Sequence, residues 1–325
     1  MRLLKQRWTP PLLLFCVVSN LSGCFRTPPP PIGSRAAAQE ELIRICREEY
    51  KYDIVVKQTN QTVWIYVPLK DNIIDFKAAP KSPFISTAKK TWSIQRLESV
   101  YKDKTFVIDY DIAPTKKYQK DSGYQTTYSE EYNEKQRHLI SAITRAYFDV
   151  GTVPGDVTYA DAQKNKTHSD LVNAYVKTDA PPEFFVVVYA DIKRGIITKT
   201  ISFFDDMKRA LSNPPDITSE EYAKRYLYEI AGDEAFIGDQ TGEHLKIEEI
   251  HLPDFLAKQI ANRINFQFLQ SSFPPSEDIE KEILTIVAET TRLYKFNDFT
   301  AVKLRDQLND KEYLFDKSQL ATFSK

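Results

Sequence analysis

Glycine and cysteine are scarce in this chain of 325 residues, which contains nine glycines and three cysteines. The glycines are never clustered as G-x-G-x-x-G, which argues against a loop that cradles nucleotide phosphates. No G-x-S-x-G turn offers a serine nucleophile, and no C-x-x-C or H-E-x-x-H pattern offers a metal site or a redox pair. The sequence therefore predicts no cofactor, no metal site and no catalytic residue by motif.

Long runs of one charge sign and long apolar runs are also missing. Lys and Arg number 44, Asp and Glu number 45, and the formal net charge is −1. Because no long basic run occurs, nucleic acid is a poor candidate partner. Beyond the N-terminal region the longest apolar stretch, residues 184–190, has the length of a strand and falls far short of the about 20 residues that span a bilayer.

The N-terminal region has the layout of a secretory signal peptide. Arg2, Lys5 and Arg7 form a positive segment without a nearby acid, residues 11–18 are apolar, and residues 19–23 are mostly small or polar. The apolar stretch is too short to cross a membrane as a helix. The region is therefore interpreted as an export signal.

The signal ends in the sequence LSGC, formed by Leu21, Ser22, Gly23 and Cys24. This motif resembles the lipobox of bacterial lipoproteins, in which a leucine and small residues precede an acceptor cysteine. The resemblance implies that a diacylglycerol is attached to the sulfur of Cys24 and that residues 1–23 are then removed. An ordinary secreted protein with a chance cysteine at this position is the alternative.

A proline-rich segment, residues 24–37, follows the motif and includes four consecutive prolines. Such a segment predicts an extended spacer that holds a domain away from the bilayer. In the family, an aspartate after the acceptor cysteine retains the protein in the inner membrane. By the same resemblance, Phe25 implies the outer membrane, with the domain facing the periplasm. Loss of three basic residues with the signal takes the net charge from −1 to about −1 − 3 = −4.

Cys46 is then the remaining thiol of the mature chain, which excludes an intramolecular disulfide. It lies at helical spacing with Leu42 and Ile45, so a small buried hydrophobe is favoured over a reactive thiol. Stability must come from an apolar core, and the chain is long enough for one large domain or two smaller ones.

The hydrophobic pattern predicts an α+β fold in which antiparallel sheets have helices packed on one face. A helix followed by two strands occurs three times, without clear sequence similarity between the copies. The predicted helices are residues 38–51, 130–148 and 277–294; the strand pairs that follow them are 53–58 with 62–67, 183–191 with 196–204, and 299–304 with 312–315. Residues 38–128 and 129–325 are predicted as two lobes or one continuous domain.

Four local predictions complete this interpretation. A short helix is expected within residues 85–102, and a second helix within residues 221–231 behind a capping box of Thr218 and Glu221. Ser276 is expected to cap the third helix. Residues 244–247, HLKI, alternate as a strand does.

An acidic segment, residues 233–251, is the best candidate for a site. It contains Asp239, His244 and His251, whose carboxylate and imidazole groups are ligands for hard cations and for zinc. His244 and His251 are seven residues apart, which puts them on one face of a helix and on opposite faces of a strand. An acidic surface loop is the alternative interpretation.

Tyrosines form the other cluster: Tyr118, Tyr124, Tyr128 and Tyr132. Aromatic clusters stack on sugars or form hot spots for protein partners, whereas packing between a sheet and its helices is their commoner use.

Two functions follow from these observations. The first is a lipid-anchored envelope protein, tethered through Cys24, with a non-enzymatic binding, structural or assembly role and an envelope protein or the cell wall as its partner. The second is a membrane-tethered envelope hydrolase that uses residues 233–251. The lipobox, the spacer and the missing catalytic motifs favour the first, because a fold alone implies no chemistry.

Overall fold

The computed structural model describes residues 33–78, 92–115, 124–149, 175–212, 215–269 and 278–323. The helices in these residues are α1 (Arg35–Arg44), α2 (Glu130–Tyr147), α3 (Phe204–Leu211), α4 (Ser219–Ala223), α5 (Leu252–Leu269), α6 (Ile279–Leu293) and α7 (Lys317–Leu320). The strands are β1 (Val55–Thr59), β2 (Thr62–Leu69), β3 (Ile74–Ala78), β4 (Trp92–Lys102), β5 (Thr105–Pro114), β6 (Tyr124–Tyr128), β7 (Phe148–Asp149), β8 (Tyr175–Val176), β9 (Phe184–Asp191), β10 (Ile196–Phe203), β11 (Leu227–Gly232), β12 (Ala301–Asp306) and β13 (Lys311–Asp316). The sheets are mostly antiparallel and combined with helices, which confirms the predicted α+β class.

The larger sheet has five strands in the order β1-β2-β9-β10-β11. Neighbouring strands are antiparallel except β2 and β9, which run parallel with Trp64 opposite Val186. Gly195 closes the β9–β10 hairpin at φ +68°, where a Cβ atom would lie 2.6 Å from the carbonyl oxygen of Asp233. Only glycine fits this turn, so the hairpin and the start of the next loop are locked together.

Both faces of the five-stranded sheet are apolar, as the continuous hydrophobic run of β9 predicts for a central strand. Alternate residues such as Phe185 and Tyr189 face one side, where they share a core with α1 and α2. Phe184 and Val186 face the other side and share a core with α5 and α6. The sheet therefore carries helices on both faces, a second helical layer beyond the one that the sequence pattern predicted.

A second sheet has four strands in the order β13-β12-β5-β4, with β12 parallel to β5. Its strand β5 alternates between buried and partly exposed side chains, with Phe106, Ile108, Tyr110 and Ile112 buried. These side chains belong to the same core as α5 and α6, and the Trp92 ring meets the edge of Phe268 at 5.4 Å. Helices α5 and α6 thus join the two larger sheets in one apolar core. The pairs β3–β6 and β7–β8 form two small sheets.

The predicted order of helix and hairpin recurs in the structure, with α1 before β1–β2, α2 before β9–β10 and α6 before β12–β13. Helix α1 begins at Arg35, earlier than predicted, because the Ser34 hydroxyl accepts a hydrogen bond from the Ala37 N–H at 3.2 Å. Both larger sheets combine strands from the two sides of position 128, so the division into two lobes stays a prediction.

Three local predictions were wrong. Residues 92–102 form the strand β4, and a β-bulge between Ile94 and Arg96 hides its alternation. The Thr218 hydroxyl caps α4 as expected, but that helix ends at Ala223 and residues 227–232 form β11. Residues 244–247 contain no strand.

At the start of α6 the observed cap is Asp278, whose carboxylate accepts from the Lys281 N–H at 3.1 Å. Ser276, which was predicted as the cap, lies outside the described residues, as do Cys24 and the proposed signal peptide. In the part of the chain that the structure covers, every helix is too short or too polar to cross a membrane.

Candidate functional site

Asp239, the central acid of the segment 233–251, holds the loop in which it lies. Its side chain is 1% exposed, and its oxygens accept hydrogen bonds from the backbone N–H groups of Thr241 (3.0 Å), Glu243 (3.2 Å) and His244 (3.2 Å). Burial raises the pKa of Asp239, but these donors outweigh it and hold the pKa below its ordinary value. The carboxylate is thus ionised and already coordinated by its own loop.

The two histidines of the segment contact different parts of the structure. The half-exposed ring of His244 has its Nδ1 atom 3.4 Å from an Asp239 oxygen, whereas His251 is exposed and its carbonyl accepts from the Phe255 N–H at the start of α5. Among the residues that the structure covers, no three His, Cys, Asp or Glu side chains converge on a position for a metal ion. Asp239, His244 and His251 stay predictions as binding residues.

The loop is fastened to the five-stranded sheet through side chains. Tyr66 donates to the Asp239 carbonyl at 2.6 Å, the Trp64 indole donates to the Glu248 carbonyl at 2.9 Å, and Lys57 donates to the Gly242 carbonyl at 2.8 Å. These donors satisfy three carbonyls of the loop and hold it against the sheet without strand pairing.

A cleft of about 800 Å³ lies elsewhere, over the face of β9, β10 and β11 that α2 only partly covers. The side walls come from α2, from α4 and from the C-terminal half of α5. Aromatic side chains dominate its lining: Tyr128, Tyr132, Tyr189, Tyr222, Tyr226, Tyr228, Phe185 and Phe266. We call this feature the tyrosine cleft.

Alternation and helical spacing explain the lining. On β10, Thr200 and Ser202 point into the cleft while Ile201, between them, packs into the opposite core. On α5, the buried positions face the core and the amides of Asn262 and Gln267 line the cleft with Phe266. The cleft therefore combines ring faces with uncharged hydroxyl and amide groups.

The tyrosines are ordered by contacts with each other. The Tyr128 and Tyr132 rings stack with centroids 4.9 Å apart, and the Tyr132 ring meets Tyr189 edge-on at 5.0 Å. The Tyr128 hydroxyl donates to the Tyr228 hydroxyl at 3.1 Å, and Tyr222 donates to Ser202 at 3.3 Å. Hydrogen bonds and stacking thus fix the rings before any ligand arrives.

The predicted tyrosine cluster divides between the two uses considered for it. Tyr132 is buried between α2 and the sheet, whereas Tyr128 is 44% exposed at the mouth of the cleft. Tyr118 and the side chain of Tyr124 lie outside what the structure describes. One member is core, and another offers an open ring face.

The tyrosine hydroxyls stay neutral. Burial raises the pKa of Tyr222 to about 12, and it raises the pKa of Tyr132, Tyr226 and Tyr228 above the ordinary value for tyrosine. Each hydroxyl can therefore both donate and accept a hydrogen bond at neutral pH.

The cationic groups at the cleft already have partners. Lys224 forms an ion pair with Glu220 at 2.9 Å, and its ammonium lies 5.3 Å from the centroid of the Phe266 ring. Arg263 donates to the Thr290 hydroxyl at 3.2 Å and lies 4.0 Å from Glu221. The walls thus contribute charge that is largely compensated.

A buried ion pair supports the wall formed by α4. Arg225 and Asp206 are 2.7 Å apart with nearly all of both side chains buried, and Arg225 also donates to Glu221 of α4 at 2.9 Å. Asp206 accepts from the Tyr294 hydroxyl at 2.7 Å. Helices α3 and α4 and the end of α6 are joined by this network.

These features define an α+β fold with an aromatic cleft on one sheet face, whose rings are held in place by contacts with each other. No protein-family model matches the chain, and neither the curated proteins nor the solved structures searched contain a significant match to it.

Sequence reasoning missed most of the cleft. The segment predicted as one helix contains three of its tyrosines, Tyr222, Tyr226 and Tyr228. In the structure Tyr222 lies in α4, Tyr226 follows that helix, and Tyr228 lies in β11. Phe266 was overlooked because it falls off the apolar stripe of α5. A Y-x-x-x-Y-x-Y pattern beside a short helix was the available signal.

Proposed function

We propose that this protein is a lipid-anchored binding protein of the bacterial cell envelope, with ligand recognition in the tyrosine cleft. The observation that supports binding is the cleft itself, whose volume of about 800 Å³ lies in the range of ligand sites and whose lining combines apolar rings with a few convergent polar groups. The lipobox-like motif at Leu21–Cys24 supports the anchor, with the lipid on Cys24 and the outer membrane as the location.

Rim exposure supports the same proposal. Tyr128, Ile140 and Phe266 are exposed large side chains, and all three line the cleft, so a ligand there would cover exposed apolar surface. Concentrated apolar surface on a soluble domain is typical of an interaction site.

Anchoring is tested with Cys24→Ala. The wild-type protein is expected to incorporate labelled palmitate in cells and to sediment with membranes, because two or three acyl chains anchor a protein stably. The Cys24→Ala variant should lose the label and, because removal of residues 1–23 follows lipidation in this family, should keep its signal peptide. Equal labelling of both proteins would remove the anchor from the proposal.

Occupancy of the cleft is tested by thiol protection. Ile140→Cys places a reactive thiol at the rim without removing an aromatic ring, and Asp254→Cys places one at an exposed helix position away from the cleft. We expect alkylation of the rim thiol to be slowed in washed cell envelopes relative to the purified protein, with no such change at position 254. The native Cys46 is buried, so it contributes little background. Equal slowing at both positions would contradict binding in the cleft.

A further inference from the structure

The surface of the tyrosine cleft that a ligand can still touch differs from its full lining. The aliphatic side chains Leu139, Ile143, Met207 and Ile286 are buried in the surrounding cores, so they offer little area to a ligand. The partly open positions are mainly tyrosines, Phe266 and the amides of Gln136, Asn262 and Gln267. The accessible aliphatic side chains of the cleft are Ile140 at the rim and the partly exposed Val187 on β9, which together give a long acyl chain little aliphatic surface.

Charge disfavours an ionic ligand as well. Lys224 and Arg263 are engaged by Glu220, Phe266, Thr290 and the neighbouring Glu221. A phosphate or carboxylate would have to compete with these partners for the two cations, and Glu289 adds a partly exposed acid to the lining. Apart from these charged groups, the hydrogen-bonding groups of the lining are uncharged hydroxyls and amides.

Open ring faces next to neutral hydroxyl and amide groups match one ligand chemistry closely. A pyranose ring presents a face of C–H bonds that packs on an aromatic ring and a rim of hydroxyls that both donate and accept. Tyr128 and Phe266, 44% and 48% exposed, supply ring faces, and the paired Tyr128 and Tyr228 hydroxyls lie beside them. Stacking between tyrosines keeps the platform rigid, which lowers the entropy lost on binding.

We infer that the tyrosine cleft binds a short run of uncharged sugar rings, hexose or N-acetylhexosamine, stacked on Tyr128 and Phe266 and hydrogen-bonded by the hydroxyl and amide groups of the cleft. This inference rests on the proposed function, whose cleft it fills with a ligand class. The volume of about 800 Å³ lies in the usual range of small-ligand sites, so the cleft can hold a short run of rings, and its open mouth lets a longer chain extend outward.

The test uses the mature chain, residues 24–325 with Cys24→Ala, expressed without the signal peptide and purified without detergent, and four probes: tetra-N-acetylchitotetraose, maltotetraose, tetra-alanine and decanoate. Melting temperature and titration calorimetry are the two readouts. We expect at least one of the two sugars to bind and, at about 100 times its Kd, to raise the melting temperature by roughly 5 °C. Tetra-alanine and decanoate should leave it unchanged.

Variants locate the binding. Tyr128→Ala and Phe266→Ala remove ring faces that are exposed, so the fold should persist, and each should weaken sugar binding about tenfold or more. Leu314→Ala removes an exposed side chain of similar character, 66% exposed on the edge strand β13, and should leave sugar binding unchanged.

Each outcome decides the inference. Sugar binding that is lost in the two aromatic variants supports it. Binding of decanoate or tetra-alanine without sugar binding, sugar binding that survives both aromatic variants, or no binding of either sugar overturns it. If no sugar binds but the thiol at position 140 is still protected in envelopes, the ligand class fails and the proposed function stands; loss of protection as well removes both.

Discussion

At the scale of single residues, Asp239 is where the two interpretations of the acidic segment meet. A catalytic or metal-binding carboxylate has oxygen lone pairs directed at a substrate or an ion. The lone pairs of Asp239 receive backbone N–H groups from its own loop, and the side chain is almost fully buried. In the structure, the Asp239 carboxylate stabilises the conformation of residues 239–244.

Asp239→Asn is therefore predicted to destabilise the protein in a pH-dependent way. Its folded-state pKa lies below the ordinary value, so the carboxylate stabilises the fold above about pH 4 and this contribution disappears as pH falls through the folded pKa. At pH 7 the variant should lose about 1–3 kcal/mol of unfolding free energy, the value of hydrogen bonds to a charged group. Urea unfolding at pH 7, 5 and 3 measures the difference, which should shrink in acid.

Glu243→Gln is the matched control for that experiment. It removes one negative charge from the same loop, at an exposed side chain, and leaves the donors to Asp239 in place. A pH profile of Asp239→Asn that matches the profile of Glu243→Gln would contradict the anchoring role.

Single residues also mark the limit of what the sequence could predict about the site. The cluster containing Tyr128 and Tyr132 was visible as a local concentration of one residue type. Its partner Tyr228 is 100 positions away, and the hydrogen bond that joins Tyr128 to it forms only after β11 pairs with β10. Composition along the chain can indicate half of such a site but not the half that folding brings to it.

At the scale of elements, a helix or strand can be predicted from sequence where one hydrophobic period continues along its whole length. The strand β5 alternates over its whole length, and the apolar stripe of α5 recurs at Leu256, Ile260, Ile264 and Phe268, all buried. The strand β4 fails this test because its bulge adds a residue and moves later side chains to the other face.

The strand β11 shows a second kind of failure, in which tertiary pairing overrides local preference. Its sequence reads equally well as the continuation of α4, but residues 227–232 pair with β10 and Glu229 forms an ion pair with Lys199 of that strand at 2.6 Å. Backbone hydrogen bonds to a neighbouring strand outweigh small differences in helix propensity.

The buried pair of Asp206 and Arg225 gives the element-scale prediction. Arg225→Ala should cost about 3–5 kcal/mol, because it leaves the buried carboxylate of Asp206 without its counter-ion. Asp206→Ala should cost less, because Arg225 keeps its ion pair with Glu221. The double replacement Asp206→Ala with Arg225→Ala should cost less than the sum of the two single changes. Urea unfolding of the four proteins gives the coupling energy directly.

Arg47 and Asp53 provide a matched control for this cycle. Their charged atoms are also 2.7 Å apart, but both side chains are mostly exposed, so their pair should contribute less than about 1 kcal/mol. Similar coupling energies for the two pairs would mean that burial does not strengthen the Asp206–Arg225 pair, and that this pair contributes little to holding α3 against the segment after α4.

At the scale of the whole molecule, two pairs of parallel strands, which we call the parallel joints, connect distant parts of the chain. The first joins β2 to β9 and the second joins β5 to β12, and each crosses position 128. Neither large sheet is complete on one side of that position. Residues from both sides also share the core around α5 and α6, including Trp64, Phe106 and Phe255.

The fold should therefore behave as one cooperative unit in the described part of the chain. Fragments 33–128 and 129–325, expressed alone, separate β9 from β2 and β12 from β5, and the first fragment also loses α5 and α6 from its apolar faces, so neither should show a cooperative thermal transition. Mixed, they should regain near-ultraviolet circular dichroism because the parallel joints and the shared core can re-form.

A control cut after Asn309 detaches the edge strand β13 and α7 alone, and should lower the midpoint while leaving the transition cooperative. A fragment 129–325 that melts cooperatively with native near-ultraviolet signal would instead mean that the second half folds by itself, and that the joints attach the first half to a finished domain.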